Sequence, residues 1–191
     1  MRYTALALAA LAAMAAGTAQ AQSAAYAIDP THTFVTFEIG HFGTSTNRGR
    51  FDKKEGTVQF DKAGKSGKVD LTIDMASIST GTAAFDKHLQ SADFFDVAKF
   101  PTAKFVADKF VFKGDKVSEV TGTLTLLGKT NPVVLKSSLF NCYQNPMLKR
   151  EVCGGDFETT IDRTAYGMNY GIQWGFPKDV RLVVQVEAVK Q

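Results

Sequence analysis

The chain has 191 residues, which is enough for one domain with a sizeable core. Its 22 basic and 19 acidic residues are spread along the chain and give a net charge of +3, which argues against a nucleic-acid partner. Phe (15) far outnumbers Tyr (5) and Trp (1), and a ring without a polar group suits a dry interior or an apolar ligand.

The first 21 residues are predicted to be a secretory signal. Arg2 precedes a short alanine-rich apolar run, and Ala19-Gln20-Ala21 supplies an A-x-A cleavage site. This run is too short to span a bilayer, and no later segment approaches the roughly 20 apolar residues of a spanning helix. We therefore expect cleavage after Ala21, a single domain over residues 22–191, and a periplasmic or secreted location.

A hydrophobic period of two dominates the rest of the chain. One apolar face per strand is typical of an antiparallel sheet that is buried on one side only. About eight such strands are predicted, and closing the sheet is the usual way to hide its edges, so we expect an eight-stranded antiparallel barrel. The alternation is clearest over residues 35–41, 69–75, 124–126, 157–161 and 182–188.

Turn signals separate the predicted strands. Gly114-Asp115 suits a two-residue hairpin, and residues 62–67 form a polar loop. Residues 128–132 link two further strands. Pro132 is expected to begin the second of these, where its missing N–H costs least.

Residues 82–97 break the alternation and are predicted to form a short helical insert. The threonine that opens the segment suits an N-cap, and Phe85 and Leu89 fall four residues apart on one helix face. A second short turn would carry Phe94 and Phe95. We expect the insert to act as a lid or plug with its apolar face toward the barrel.

The two cysteines, Cys142 and Cys153, are predicted to form a disulfide, because export places them in an oxidising compartment. The bridge would pin a loop over residues 141–154. A structural zinc site is the alternative, but it needs two further ligands and none lies nearby in the sequence.

Four stretches carry a resemblance to a known family. They are IDPTHTFVTF (28–37) with IGH (39–41) and GRF (49–51), HLQSADFFD (88–96) with FPTAKF (100–105), VTGTLTLLGKT (120–130), and IDR (161–163) with YGM (166–168). In this order and spacing they resemble the YceI family of exported, lipocalin-like proteins that bind polyisoprenoids. The resemblance covers residues 26–189.

The resemblance implies an eight-stranded antiparallel, lipocalin-like barrel whose hydrophobic tunnel holds an extended isoprenoid chain. It also implies binding rather than catalysis, with ligands of quinone, prenyl phosphate or fatty-acyl type and no cofactor beyond the bound lipid. The segment 142–153 departs from the family pattern and is expected to alter one mouth of the barrel. Two copies could pair to shelter a long tail, so a homodimer is left open.

The candidate lipid-binding residues come from the first strand, the insert and the mouth. Arg163 could hold a phosphate or quinone oxygen through its planar donor fork, or could form an ion pair with Asp162. Residues 170–176 are expected to form a loop over an opening. The full candidate set is Val35, Phe37, Ile39, His41, His88, Phe94, Phe95, Phe105, Arg163 and Trp174.

The sequence gives less support to two other functions, a metal site and an outer-membrane barrel. Three histidines, His32, His41 and His88, would suffice for an open metal site, but their spacing gives no sign of convergence. An outer-membrane barrel is disfavoured by scattered lysines and the lack of aromatic girdles. The sequence has no G-x-S-x-G, phosphate-binding loop or H-E-x-x-H motif, so no enzymatic activity is expected.

Overall fold

The computed structural model describes residues 23–191, and the predicted signal (1–21) lies outside them. The described residues form eleven strand segments and one α-helix, α1 (Ala83–Leu89). The strands are β1 (Ala24–Ile28), β2 (Phe34–His41), β3 (Ser45–Phe51), β4 (Lys54–Asp61), β5 (Ser66–Asp74), β6 (Ile78–Ser79), β7 (Thr102–Lys113), β8 (Lys116–Leu126), β9 (Lys129–Gln144), β10 (Glu151–Asp162) and β11 (Asp179–Lys190).

The eleven segments make a closed barrel of eight strands, because three of the strands are bent. β1 and β2 both pair with β11 on one side, and pair with β4 and β3 respectively on the other. β5 and β6 likewise continue one strand, pairing with β4 and β3. The order is then β7, β8, β9, β10 and β11, which returns to β1. Every neighbouring pair is antiparallel, and the predicted eight-stranded antiparallel barrel is confirmed.

The bend between β1 and β2 is held by a side chain. Thr33 is completely buried, and its Oγ1 donates to the Glu187 carbonyl (3.1 Å) and accepts from the Glu187 N–H (3.2 Å). Between β1 and β2 the chain makes no regular strand pairing with β11. The two bonds of Thr33 take its place, so the N–H and carbonyl of Glu187 on β11 still have partners. The alternating sequence pattern carried no sign of this contact.

The faces of the strands follow the predicted alternation. Val35 and Phe37 on β2, like Leu71 and Ile73 on β5, are buried in the barrel. The end of the barrel near Ala24 is closed by rings around Phe60. Those rings, with centroids 5.7–6.4 Å from that of Phe60, are Tyr26, Phe110, Phe112 and Phe140.

The hairpin between β8 and β9 is tighter than expected. Its turn is Leu127 and Gly128 alone, both with positive φ (52° and 71°), so the prediction that Pro132 begins its strand was wrong. Narrow and wide pairs alternate from the closing pair Leu126–Lys129, so the nitrogen of Pro132 points away from β8. Proline is tolerated inside β9 because that side of the strand is unpaired there. The predicted two-residue turn at Gly114 and Asp115 is confirmed.

The barrel wall contains one unpaired stretch between β9 and β10. Their ladder runs from Gln144–Glu151 to Lys136–Glu158. In the described part of the chain, residues 129–135 pair only with β8, and residues 159–162 only with β11. A groove of about 640 Å³ lies on the outer surface at this stretch. We call it the β9–β10 seam.

The helical insert is shorter than predicted. Only α1 is α-helical in this segment, and residues 92–95 and 97–99 form turns. Thr82 stands before the helix but makes no side-chain cap; instead Asp86 reaches back to bind the N–H and hydroxyl of Thr80 (2.7 and 2.6 Å). Asp96 has a φ of 43°, a left-handed conformation that a continuing helix excludes.

The predicted disulfide between Cys142 and Cys153 is present. The two residues face each other directly on β9 and β10, with Cα atoms 4.1 Å apart. The prediction of a loop over 141–154 was wrong, because only residues 145–150 lie between the strands. The bridge therefore staples a hairpin. No helix within residues 23–191 is long and apolar enough to cross a membrane.

Candidate functional site

An apolar cavity of about 390 Å³ occupies the half of the barrel at which α1 and the β10–β11 loop lie. Each of the eight barrel strands contributes to its wall. All ten candidate residues predicted from the sequence border it: Val35, Phe37, Ile39, His41, His88, Phe94, Phe95, Phe105, Arg163 and Trp174. That these residues contact a lipid stays a prediction.

Strand alternation explains most of the wall. The four candidates on β2 point inward together, as a period of two requires. Opposite them, Phe105 on β7 and Leu124 on β8 are buried against the same space. No aspartate or glutamate borders the cavity in the described chain, and Arg163 is the one lysine or arginine that does.

The mouth of the cavity is covered by a group of rings that we call the lid cluster: His88, Phe94, Tyr170 and Trp174. The ring centroids of His88 and Phe94 are 5.0 Å apart, and Tyr170 lies 4.9 Å from Phe94 and 5.3 Å from Trp174. Edge-to-face and tilted pairs at these distances are favourable. The cluster joins the insert to the β10–β11 loop, and Trp174 remains 55% exposed.

A second aromatic contact ties the β2–β3 turn to the same loop. The His41 ring lies 5.0 Å from that of Phe42 and 5.4 Å from that of Phe176, and those two phenyl rings are 4.6 Å apart. The β10–β11 loop is therefore held at the mouth by rings from two sides.

The three histidines do not come together. His32 lies outside the barrel and binds the Asp29 carboxylate (2.8 Å), while His88 lies 3.2 Å from Asp93. Within residues 23–191, no three side chains of the metal-binding types form a group that could hold an ion. The geometry gives no support to a metal site on His32, His41 and His88.

Arg163 is the charged residue of the cavity wall. It begins a 3₁₀ turn (Arg163–Tyr166) directly after β10 and is only 3% exposed. Its Nε donates to the Pro177 carbonyl (2.9 Å), and its Nη1 donates to the carbonyls of Met168 (3.0 Å) and Tyr170 (2.8 Å). The side chain thus holds the β10–β11 loop closed beneath the lid cluster.

The alternative of an ion pair between Arg163 and Asp162 or another acid was wrong, since the hydrogen bonds of Arg163 within the described residues go to backbone carbonyls. The Asp162 carboxylate accepts from the N–H and hydroxyl of Thr164 (2.9 and 2.6 Å) and pairs with Lys178 (3.2 Å). Burial lowers the pKa of Arg163, and the nearby Asp162 charge offsets this only in part. Asp162 points outward although it directly precedes Arg163, because successive residues at the end of β10 face opposite sides of the wall.

A smaller cavity of about 90 Å³ lies deeper in the barrel. Cys153 borders it, so the disulfide lies at the end of the barrel away from the lid cluster. That segment 142–153 alters one mouth of the barrel stays a prediction. A single layer of side chains borders both cavities and separates them: Leu71, Phe105, Leu135 and Val184.

Several wall residues were missed by the sequence analysis. Phe51 and Asn47 come from β3, whose mixed composition hid its alternation. Tyr170, Met168 and Phe176 come from a loop, where no period indicates which way a side chain points. The available signal is the density of rings in residues 166–176, of which the sequence analysis uses only residues 170–176, as a loop over an opening.

A protein-family model described as the YceI-like domain matches residues 26–188. The chain belongs to the YceI family. A UPF0312 protein of Pseudomonas putida is 37% identical over 188 residues, covering 94% of this chain and 96% of that protein. The YceI-family barrel described above is similar to a crystal structure of the Campylobacter jejuni YCEI protein (28% identity, TM-score 0.68, 80% of this chain and 90% of that chain).

A more distant structure shares the YceI fold. It is a polyisoprenoid binding domain from Saccharophagus degradans implicated in plant cell wall breakdown, with 18% identity and a TM-score of 0.64. The match covers 88% of this chain and 99% of that one. At this identity the likeness establishes the closed barrel and nothing about the ligand of the present YceI-family member.

Proposed function

We propose that the protein is an exported binding or carrier protein that holds one apolar lipid chain, of isoprenoid or fatty-acyl type, in the barrel cavity. The observation that carries this is the cavity itself: all eight strands wall it with apolar side chains, and rings close its mouth. A concave apolar site with few polar groups is the usual form of a small-molecule site. We propose no enzymatic activity.

The size of the cavity sets how much of a lipid chain it can hold. At about 30 Å³ for each non-hydrogen atom, the share of a water molecule in the liquid, 390 Å³ holds about 13 atoms. A chain of about 12 to 15 carbons therefore fills the main cavity and reaches the layer of Leu71, Phe105, Leu135 and Val184. A longer isoprenoid would pass that layer into the smaller cavity or extend through the mouth.

The composition of the wall supports binding rather than catalysis. In the described chain, the polar side chains that border the cavity are Asn47, His41, His88, Arg163, Tyr170 and the indole of Trp174. Among the described residues no serine, threonine or cysteine borders the cavity, so neither His41 nor His88 has such a nucleophile beside it in the wall.

Export is the remaining part of the proposal. The A-x-A site ending at Ala21 supports cleavage there and a periplasmic location. The disulfide is consistent with an oxidising compartment, where such bonds form and persist.

Native mass spectrometry of the protein purified from its own periplasm without detergent tests the proposal. We expect a mass excess that disappears on denaturation and matches a lipid recovered by organic extraction. A variant with the cavity filled, Ala103→Phe, should carry less of that mass than the matched outward variant Thr102→Phe. A clean mass of the protein alone, together with no binding of added lipids, would refute the carrier function.

A further inference from the structure

The guanidinium of Arg163 has an unused edge. A guanidinium carries five N–H donors, one on Nε and two on each terminal nitrogen. Nε donates to the carbonyl of Pro177, and the two N–H groups of Nη1 donate to the carbonyls of Met168 and Tyr170. Nη2 has no hydrogen-bond acceptor among residues 23–191. Its two donors are the only ones on this buried side chain that the fold leaves free.

The free edge is open to space rather than sealed in the wall. Every side-chain nitrogen and oxygen of the described chain that is wholly inaccessible has a hydrogen-bond partner, so the unpartnered Nη2 must be accessible. Arg163 itself is 97% buried, and it borders the main cavity. Since Arg163 borders the main cavity, a ligand in the cavity can supply the partner that Nη2 lacks.

The positive charge of Arg163 is compensated only in part, by the nearby charge of Asp162. The three carbonyls satisfy donors but carry no net charge, and the adjacent carboxylate of Asp162 is bound by Thr164 and Lys178. No carboxylate borders the cavity within the described residues. A buried charge without a counter-charge is costly, and natural proteins usually pair it.

We propose that the bound lipid is an anionic amphiphile, whose negatively charged oxygen accepts from Nη2 of Arg163 while its apolar chain fills the cavity. This rests on the proposed lipid-binding function and narrows it. A carboxylate or a phosphate supplies the needed oxygen, whereas the carbonyl of a quinone or the hydroxyl of a prenyl alcohol supplies no charge. The head group lies beneath the lid cluster, beside the β10–β11 loop, and the tail points toward the Leu71–Phe105 layer.

Ligands matched in chain and different in head group test the proposal. Binding of dodecanoic acid is compared with dodecanol, and farnesyl phosphate with farnesol, by displacement of the neutral probe N-phenyl-1-naphthylamine. The pH is held well above the carboxyl pKa. We expect each anion to bind about 10- to 100-fold more tightly than its alcohol, the range for a charge-assisted hydrogen bond in a dry site. The pair with the larger ratio of anion to alcohol affinity also shows whether the site prefers a carboxylate or a phosphate.

Variants assign the preference to Arg163. Arg163→Gln should bring the ratio of anion to alcohol close to one, while Arg163→Lys should keep part of it. Lys99→Gln is the matched control, because it removes an exposed positive charge that does not border the cavity, and its ratio should equal that of the natural protein. Thermal unfolding of each variant shows whether the β10–β11 loop is still held.

The outcomes separate the two proposals. Equal binding of acid and alcohol by the natural protein would overturn the anionic ligand while leaving the lipid carrier intact. Binding of neither would overturn the carrier function itself. Because the ligand series uses the natural protein, it decides the question even if Arg163→Gln fails to fold.

Discussion

The rings of His88 and Tyr170 meet edge to face, with 5.3 Å between their centroids. His88 lies at the end of α1, and Tyr170 lies in the β10–β11 loop, so this contact joins two segments that are far apart in the sequence. The rings of both residues border the cavity. Together with Phe94 and Trp174 they close its mouth without any covalent or backbone link.

Removing the ring of Tyr170 should open this mouth. Tyr170→Ala deletes three aromatic contacts, each of about 1 kcal/mol, and should speed lipid release about fivefold or more. Stopped-flow dilution of protein loaded with a fluorescent fatty acid measures the rate. Tyr143→Ala is the control, because Tyr143 is an exposed tyrosine on β9 away from the cavity. Equal release rates in the two variants would contradict a lid role.

Filling the cavity should block binding and spare the fold. Ala103 is buried and points inward, and six added ring carbons at about 30 Å³ each would take up roughly half of the cavity. Ala103→Phe should therefore weaken binding of dodecanoic acid at least about tenfold, with a stability change within the 1–3 kcal/mol range of overpacking. Titration calorimetry measures the affinity. The neighbouring Thr102→Phe points outward and should bind normally; a similar loss there would mean that bulk alone disturbs β7.

The disulfide should stabilise the barrel without affecting the ligand. Its position on paired strands at the end away from the lid cluster gives it no contact with the main cavity. Cys142→Ala with Cys153→Ala should lower the free energy of unfolding by about 3 kcal/mol, since a short closed loop restricts the unfolded chain by that amount. Urea unfolding measures the loss. Lipid affinity of the folded variant should match that of the natural protein, and a large drop would show that the two ends are coupled.

Stability should depend on the protonation of His32. The hydrogen bond and charge of Asp29 raise the pKa of His32 above its ordinary 6.5. Burial pushes the pKa of Asp29 upward, but hydrogen bonds from Thr31 and His32 outweigh it and lower that pKa to about 2. The imidazolium is thus favoured in the fold, so its contribution is complete below the unfolded pKa and is lost as the pH rises through the raised value.

The measurement is the melting temperature of the natural protein and of His32→Gln from about pH 5 to about pH 9. We expect the natural protein to have a higher melting temperature than His32→Gln at acid pH. The difference between the two should disappear toward alkaline pH. Parallel melting curves across this range would contradict the assigned role of the Asp29–His32 contact.

The sequence predicted the barrel well because one-sided burial leaves a period of two. That period placed Val35, Phe37, Ile39 and His41 on the cavity wall, where the structure has them. The period does not predict contacts between residues that are far apart in the sequence. Thr33 replaces a backbone ladder with its hydroxyl, and nothing in its neighbours indicates that it is buried.

The partners of Arg163 show the same limit at the site. The residue borders the cavity, but its three bound carbonyls lie 5 to 14 residues further along in an irregular loop. Sequence proximity favoured Asp162, which points away. Pro132 also misled, because its position depends on β10 being absent from that side of β9, a property of the closed barrel rather than of the local sequence.

The β9–β10 seam bears on how much volume the barrel can hold. Around the rest of the circumference, widening would break backbone hydrogen bonds between neighbouring strands. At the seam, Val133 and Ile161 separate the cavity from the outer groove, and the ladder between β9 and β10 does not extend to these two residues. This is where the circumference can grow at least cost, with the disulfide holding the other end of the same two strands together. A larger occupant would therefore be accommodated first on this side of the barrel.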